Sequence, residues 1–332
     1  MIRKDLSKAQ LFNSHLSVAD PSTMYSLWSL LFLSCILQFT WGWGDLGHRT
    51  VAYLAEKFLN EQGVQLVEDL IIPNEDFDIS DAAVWADKRK FQYPFTRPWH
   101  YIDANDNPPD SCRLSYKADC KTHGCVISAF ENMTHQVQDL SLEKTQQGDA
   151  LKFLMHFIGD LHQPLHIEAT LRGGNDLPVC FDNHCPKKKN LHSVWDTDIP
   201  HKINGLKDTP KHNDKKEPAM KWAEKLFQSH GLRPLQAECS DIKRPLKCPM
   251  IWAIESNRLN CDFVFKNGVE WLENNDLGGK YYNEAAPIVE AQILKAGIRL
   301  AVWLNALAAD RASSGERCNG QYGKAIFASA TI

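Results

Sequence analysis

The stretch DALKFLMHFIGDLHQPLHIE, residues 149–168, decides the fold. It is apolar on nearly all sides of a helix, so it predicts a buried core helix that ends before Pro164. Two polar residues inside it, His156 and Asp160, are four residues apart and lie on the same side of that helix. A carboxylate and an imidazole in such a helix must pair or bind a cation, because an unpaired buried charge costs several kcal/mol.

Amphipathic helices are expected at both ends of the chain. Residues 48–61 and the segment that starts at Val289 have apolar residues at helical spacing. The second helix is expected to end near Asp310, and residues 311–332 to form a loosely ordered tail. Convincing alternating strands are scarce. The sequence therefore predicts a mainly α, single compact helical domain over residues 43–310, with few short strands and long loops.

An uncharged apolar segment occupies residues 27–39. It is too short to span a bilayer, which takes about 20 apolar residues. Together with the small residue Gly42 it predicts a signal peptide, residues 1–42, and a mature chain that begins at Trp43. A retained signal anchor is the alternative.

The cysteines also favour export. Of the ten cysteines, Cys35 would leave with the signal peptide, and the others are typical of a disulfide framework with one residue left over. A cysteine zinc site is the alternative, although the chain has no C-x-x-C pair. Neighbouring cysteines predict three local pairs and leave one long-range pair: Cys120–Cys125, Cys180–Cys185, Cys239–Cys248 and Cys112–Cys261, with Cys318 left over.

The predicted location is therefore extracellular, with a vacuole-like compartment as the alternative. Asn132 begins the one N-glycosylation sequon, NMT, which fits the same export route. Met24 could be the true start of translation, in which case residues 1–23 would not belong to the protein.

Further histidines and aspartates extend the pattern of the core helix. His192 and Asp196 form a second His-x-x-x-Asp pair in NLHSVWD, and His48, Asp87 and His100 lie upstream. Each residue alone is more typical of an ion pair, a core histidine or a helix cap. As a set without thiolates they are typical of a catalytic zinc site. Two or more such ions can bind a phosphate and deprotonate a water.

The formal net charge of −4 at pH 7 argues against nucleic-acid binding by a basic surface alone. A polyanionic partner would need positive charge that the composition does not count. Bound metal ions would supply it.

Six segments in order resemble the trinuclear-zinc, single-strand-specific nuclease family of fungi and plants, to which mung bean nuclease belongs. The resemblance runs from Trp43 to about Trp303 and implies the helical fold shared by zinc phospholipases C and single-strand nucleases. The segments are WGDLGHRTVAYLAEKFL, WAD, WHYIDA, LMHFIGDLHQPLH, RGGND and NLHSVWD.

The resemblance implies that the new N-terminus is a metal ligand. In the family, the mature N-terminal tryptophan binds zinc through its free α-amino group and its carbonyl, with a histidine five residues later. Trp43 and His48 have that spacing. An α-amino nitrogen can bind a metal only when it is free and deprotonated, so signal-peptide cleavage would precede activity.

Three Zn²⁺ are implied in all. Asp160 would bridge two of the ions, and Asp87 and Asp160 are the predicted catalytic carboxylates. His162 matches no ligand and is expected to support the site or the core. The implied ligand sets are Trp43, His48 and Asp160; Asp87, His100, His156 and Asp160; and His166, His192 and Asp196.

The implied reaction is hydrolysis of single-stranded DNA and RNA to 5′-phosphorylated products, with 3′-nucleotidase activity on nucleotides. In the family's mechanism, a hydroxide bridging two zincs attacks phosphorus in line, and the third zinc stabilises the leaving oxygen. The resemblance assigns substrate binding to Tyr101, Asp103 and Asn175, with Tyr101 at a family phenylalanine position. We expect a monomer without stable membrane association.

Other interpretations use the same residues. A bacterial zinc phospholipase C shares the three-zinc core, but its second metal pair tends to end in Glu, where this chain has Asp196. A catalytically inactive protein that sequesters zinc or RNA would be expected to lack a ligand, and no ligand position is changed here. Two interpretations stay open for the basic side chains of Arg172, Lys88 and Lys90: each is either a charge in contact with solvent or a contact to the substrate phosphate.

Overall fold

Helices account for most of the chain in the computed structural model, which describes residues 43–71, 77–185, 189–206, 215–230 and 239–327, with residues 230 and 315–327 described by backbone alone. The predicted signal peptide, residues 1–42, lies outside the described residues. The described residues belong to one compact, mainly α unit, as the sequence predicts.

The helices follow one another in this order. The α-helices are α1 (Asp45–Glu56), α2 (Glu61–Leu70), α3 (Ile79–Ala83), α4 (Trp85–Gln92), α5 (Tyr116–Asp119), α6 (Val126–Gln138), α7 (Lys144–Leu161), α8 (Leu191–Ser193), α9 (Ile199–Ile203), α10 (Lys216–His230), α11 (Lys247–Leu259), α12 (Val269–Asn274) and α13 (Lys280–Phe327). Two 3₁₀ helices (Pro94–His100 and Pro164–Ile167) and two π turns (Val194–Asp198 and Asn260–Val264) complete them.

Helix α7 is the core helix that the sequence predicts. It ends at Leu161, before Pro164 starts the next 3₁₀ helix, and its apolar side chains from Leu151 onward are buried. It packs against α6 and also contacts α1, α3 and α4. Because these helices meet around the polar face of α7, His156 and Asp160 lie inside the protein.

Helix α13 buries the predicted apolar stripe, from Val289 to Leu307, mainly against α1 and α2. Its predicted end near Asp310 is wrong, because the helix continues to Phe327. Tertiary contacts hold it beyond that point. The Arg311 guanidinium donates to Gln147 Oε1 at 2.7 Å and to the Val137 carbonyl, so two neighbouring helices anchor this turn.

Four disulfides fix the loops, and they are the pairs that the cysteine spacing predicts. Cys112–Cys261 joins the loop before α5 to the π turn after α11, across 149 residues. The other three bonds, Cys120–Cys125, Cys180–Cys185 and Cys239–Cys248, close short loops. Extended structure in the described residues consists of isolated bridges, such as Pro178 with Asn190. Among these residues no helix is both long and apolar enough to cross a membrane.

Candidate metal centre

Three groups of buried histidines and aspartates lie where α1, α3, α4 and α7 meet and beside the turn that follows α7. All of these side chains are buried, and within each group the ligand atoms lie within 4.8 Å of one another. We call them group 1 (His48, His156 and Asp160), group 2 (Asp87, His100 and His156) and group 3 (His166, His192 and Asp196).

Groups 1 and 2 share His156 and form one continuous cluster. His156 Nε2 lies 3.2 Å from Asp160 Oδ2 and 3.6 Å from Asp87 Oδ1. His100 Nδ1 lies 3.0 Å from His156 Nε2 and 3.1 Å from Asp160 Oδ2. On the other side, His48 Nε2 is 3.4 Å from Asp160 Oδ1. Asp160 therefore faces both groups with a different oxygen.

A close approach of two helices brings His48 into this cluster. The His48 ring stacks on His156 with centroids 3.9 Å apart. A Cβ at Gly159 would lie 2.5 Å from His48 Nδ1, so only glycine leaves room for the ring there. The glycine in the last turn of the buried helix was a usable sequence signal for this contact, which our sequence analysis missed.

Group 3 is built on the turn after α7 and on α8 with its π turn. His192 Nε2 lies 3.2 Å from His166 Nε2 and 3.1 Å from Asp196 Oδ2. Asn190 caps the helix by accepting from the Ser193 N–H, which fixes where the helix begins. His192 and Asp196 thus face His166.

Backbone carbonyls orient three of the histidines. The Nδ1–H groups of His156, His166 and His192 can donate to the carbonyls of Ala83 (2.7 Å), His100 (2.7 Å) and Gly173 (2.6 Å). Each bond fixes the tautomer in which the Nε2 lone pair faces the cluster, as in many metal sites. Sequence motifs cannot reveal these acceptors, since any residue supplies a carbonyl.

The carbonyl that orients His192 depends on a tight left-handed turn. Leu171, Arg172, Gly173 and Gly174 all have positive φ, from 50° to 75°. A Cβ at Gly173 would lie 2.4 Å from the Leu165 carbonyl oxygen, so the turn packs directly against the segment that carries His166. Two non-glycine residues in this backbone region represent strain of the kind that accumulates at functional sites.

The charges of the cluster are tightly coupled. Burial would raise the pKa of Asp87, but the Lys90 ammonium, 2.7 Å from Oδ1, and the imidazoles of His156 and His100 lower it. The pKa of Asp160 is set in the same way. Burial would raise it, but the imidazoles of His156 and His166 hold it well below the usual value. Both carboxylates are therefore ionised. Lys90 is itself buried, which excludes the solvated-charge interpretation for this residue.

The donor set fits divalent metal ions. Two donors about 2.0 Å from one tetrahedral ion lie about 3.3 Å apart, close to the separations of 3.0 to 3.8 Å measured here. Several buried atoms that could bind a metal have no hydrogen-bond partner, among them His48 Nε2, Asp87 Oδ2 and Asp160 Oδ1. A cation between buried ionised carboxylates and imidazoles at such spacing would be stabilised by them. The three groups could therefore hold metal.

Proton release should accompany metal binding. In the metal-free chain burial would lower the pKa of His156, but Asp160 and Asp87 raise it to about 9. The proton must leave before Nε2 can bind an ion, so zinc affinity should rise about tenfold per pH unit from pH 7 and level off near pH 9. Competition titrations with a chelator at several pH values measure this slope. A pH-independent affinity over that interval would contradict the assignment of His156.

Gln163 supports group 3 directly, which the sequence analysis did not predict. Its side-chain N–H donates to Asp196 Oδ1 at 2.6 Å, and its Oε1 accepts from the Leu165 N–H at 2.6 Å. Replacing Gln163 by leucine removes both bonds and should weaken the binding of added Zn²⁺ at group 3 about 10- to 100-fold. Calorimetric zinc titration checks this, with Gln146→Leu on the exposed face of α7 as control. Equal affinities in the two variants would show that Gln163 does not orient Asp196.

Trp43, the predicted N-terminal ligand, is fully buried. The N–H of the next residue, Gly44, donates to the Asp196 carbonyl at 2.8 Å, and a Cβ at Gly47 would touch Trp43 Cβ at 2.7 Å. Trp43 is therefore anchored between α1 and the π turn of group 3. Zinc binding by its α-amino group stays a prediction.

Two of the predicted substrate residues, Tyr101 and Asn175, lie in segments that carry or orient histidines of the metal groups. Tyr101 follows His100 directly, and its carbonyl accepts from the Val126 N–H at 2.9 Å. Burial raises the pKa of Tyr101, and Asp103 adds to the shift, whereas Arg172 opposes it. Asn175 is buried and donates to the Arg172 carbonyl at 2.8 Å. Their roles with substrate stay predictions.

His162, which matches no ligand, links three helices. Its Nδ1–H can donate to the Ile158 carbonyl at 2.6 Å, and Arg299 donates to its Nε2 at 2.9 Å. Arg299 also donates to Glu255 at 2.7 Å. The neutral imidazole therefore ties the end of α7 to α11 and α13, behind Asp160.

An all-α protein with buried His and Asp groups of this geometry is a candidate metal-dependent hydrolase. The S1/P1 nuclease family model matches residues 43–309, and the chain belongs to that family. It is thus an enzyme of the nuclease class, hydrolases that act on ester bonds of nucleic acids.

Known nucleases match this chain over most of their own length. The chain is similar to Nuclease S1 of Aspergillus oryzae, with 37% identity over 278 residues, 82% of this chain and 94% of the relative. It is similar to Nuclease P1 of Penicillium citrinum, with 37% identity over 274 residues, 79% and 97% of the two chains. Endonuclease 2 of Arabidopsis thaliana is 32% identical over 284 residues, 80% and 90% of the two chains.

Proposed function

We propose that the protein is a secreted, zinc-dependent endonuclease that hydrolyses single-stranded DNA and RNA to 5′-phosphorylated products and also acts as a 3′-nucleotidase. The observation that carries the proposal is the cluster of three buried His and Asp groups, with donor separations that suit tetrahedral ions. The family membership supplies the reaction class.

Three Zn²⁺ are the proposed ions. When bound, they would lower the pKa of a water, polarise the phosphate and stabilise the leaving oxygen. The proposed ligands for the three ions are Asp87, His100, His156 and Asp160; Trp43, His48 and Asp160; and His166, His192 and Asp196. The three groups contain only histidines and aspartates, without a cysteine, which is typical of catalytic zinc sites.

The chain's own residues prepare these sites. Asp160 presents one oxygen towards His48 and the other towards His156, which suits a bridging carboxylate. The backbone carbonyls of Ala83 and Gly173 hold histidines in the tautomer that leaves Nε2 free to bind. Because these parts are positioned before substrate arrives, little reorganisation is needed during the reaction.

Selection of single strands is proposed to depend on Tyr101, Asp103 and Asn175. Tyr101 is only partly buried, so its ring can stack on a base that is not already stacked in a duplex. Burial raises the pKa of the Asp103 carboxyl, which suits a group that hydrogen-bonds a base edge in a partly desolvated pocket.

Secretion, glycosylation and a monomeric state are part of the proposal. Four disulfides are typical of an oxidising compartment. Asn132 is exposed on α6, where a glycan would extend into solvent.

The test uses secreted protein that starts at Trp43, with single-stranded and double-stranded DNA. Release of 5′-phosphorylated products is measured with a chelator and after zinc is added back. We expect hydrolysis that favours single strands, stops with the chelator and returns with zinc. Failure of zinc-loaded protein to hydrolyse either DNA would reject the nuclease proposal, and phospholipid substrates would then test the phospholipase C alternative.

A further inference from the structure

Exposed aromatic side chains are concentrated beside the metal groups. Among the described residues, the exposed large aromatics are Phe91, Tyr93 and Phe95, and Phe95 is the most exposed large apolar side chain, at 64%. They occupy the end of α4, which carries Asp87, and the start of the 3₁₀ helix that ends at His100. Burying these rings would be favourable, so their exposure requires an explanation.

Tyr93 and Phe95 form a rigid surface, which we call the aromatic strip. Their rings lie 6.0 Å apart, and Phe95 packs edge-on against Trp99 at 5.5 Å. Trp99 in turn contacts Phe153 of α7 at 5.7 Å. The Thr96 hydroxyl donates to the Tyr93 carbonyl at 2.8 Å, which holds the turn between the two rings. A strip anchored in this way loses little freedom when it binds a ligand.

The charge around the aromatic strip is positive. The segment 88–99 contains Lys88, Arg89 and Arg97 and no acidic residue, although the whole chain has a net charge of −4. Lys90 lies in the same segment, but it is buried and pairs with Asp87. Lys88 and Arg97 are exposed. Aromatic rings interleaved with cations are the signature of a surface for unpaired nucleic acid, since every base has a face that can stack.

The aromatic strip and a residue of the metal groups are parts of the same short helix. Phe95 and His100 belong to one 3₁₀ helix, whose rise of about 2.0 Å per residue puts them about 10 Å apart along its axis. A stacked strand advances about 3.4 Å per nucleotide, so this distance corresponds to about three nucleotides.

We propose that Tyr93 and Phe95 form a second stacking subsite, which binds unpaired bases a few nucleotides from the scissile phosphate. The inference rests on the proposed nuclease function and extends it. A single strand long enough to reach the aromatic strip therefore binds more tightly than a dinucleotide. The strip adds no affinity for duplex DNA, because the bases of a duplex are already stacked on one another.

The experiment compares the zinc-loaded wild type with the double variant Tyr93→Ala, Phe95→Ala. Substrates are a ten-nucleotide oligothymidylate and the dinucleotide TpT. We expect KM for the decamer to rise roughly 5- to 100-fold, from the loss of one or two stacked bases, and KM for TpT to stay unchanged. Fluorescence anisotropy with a phosphorothioate decamer should give the same factor as Kd, independently of turnover.

Two controls isolate the rings. Tyr93→Phe, Phe95→Tyr keeps both rings and should keep decamer affinity, whereas Met220→Ala removes an exposed apolar side chain from α10 and should change nothing. An unchanged decamer KM in the double alanine variant overturns the proposal. Equal losses on decamer and TpT, or a lower zinc content, also overturn it, because the rings would then support the metal centre.

The failure of the subsite can be told apart from the failure of the function. If the wild type hydrolyses neither substrate but binds the decamer in a ring-dependent way, the nuclease proposal fails and the subsite stands. If the wild type hydrolyses both substrates and the double variant matches it, the function stands and the subsite fails.

Discussion

Replacing Asp160 by asparagine is expected to lower the rate of single-strand hydrolysis more than about 1000-fold. Asp160 lies within 3.4 Å of His48 and of His156 through its two oxygens, so one substitution damages two metal groups. The asparagine side chain has the same shape as that of Asp160, but it lacks the negative charge that the metal ions and the surrounding imidazoles would balance. The measurement is the initial rate on single-stranded DNA, together with the zinc content of the purified variant.

Asp149→Asn is the matched control, because Asp149 is on the same helix, its side chain is half exposed and its carboxylate pairs with Lys152 at 3.0 Å. We expect the Asp149→Asn variant to have the rate and the zinc content of the wild type. An Asp160→Asn variant with full activity would show that this carboxylate does not hold the ions.

The second large effect should come from the N-terminus. A protein that keeps Gly42 ahead of Trp43 has an amide at the position where a free amine is proposed to bind zinc. An amide nitrogen is a poor ligand, so we expect at least about 100-fold lower activity and the loss of one zinc. Trp43 is fully buried, and the Gly44 N–H donates to the Asp196 carbonyl, so the backbone of Trp43 is held beside group 3.

Trimming the extended protein with an aminopeptidase provides the internal control. Activity and the missing zinc should return together as Trp43 becomes the first residue. Equal zinc content and equal rate before and after trimming would exclude the α-amino group as a ligand.

Much of the fold could be predicted because burial decides it. The apolar surface of α7 and the stripe on α13 identify core helices without any tertiary information. The end of α13 could not be predicted in this way. The first turn beyond Asp310 is mainly polar, and it is held by the contact of Arg311 with α6 and α7, which no local pattern contains.

In the candidate site, too, one part could be predicted from the sequence and another could not. The His-x-x-x-Asp spacing and the family resemblance predicted which residues come together, and the structure brings His48, His100, His156 and Asp160 into one cluster. The supporting interactions were not predictable. They depend on carbonyl groups, such as those of Ala83 and Gly173, and on the space beside Gly159, which exist only once the helices have packed.

Anomalous diffraction at the zinc edge, from crystals of protein that begins at Trp43, tests the central claim most directly. We predict three peaks, each about 2.0 to 2.2 Å from its ligand atoms. One should lie among Asp87, His100, His156 and Asp160, one beside Trp43 and His48, and one within group 3. Buried groups without a peak in zinc-saturated crystals, with metal found only at the surface, would contradict the account.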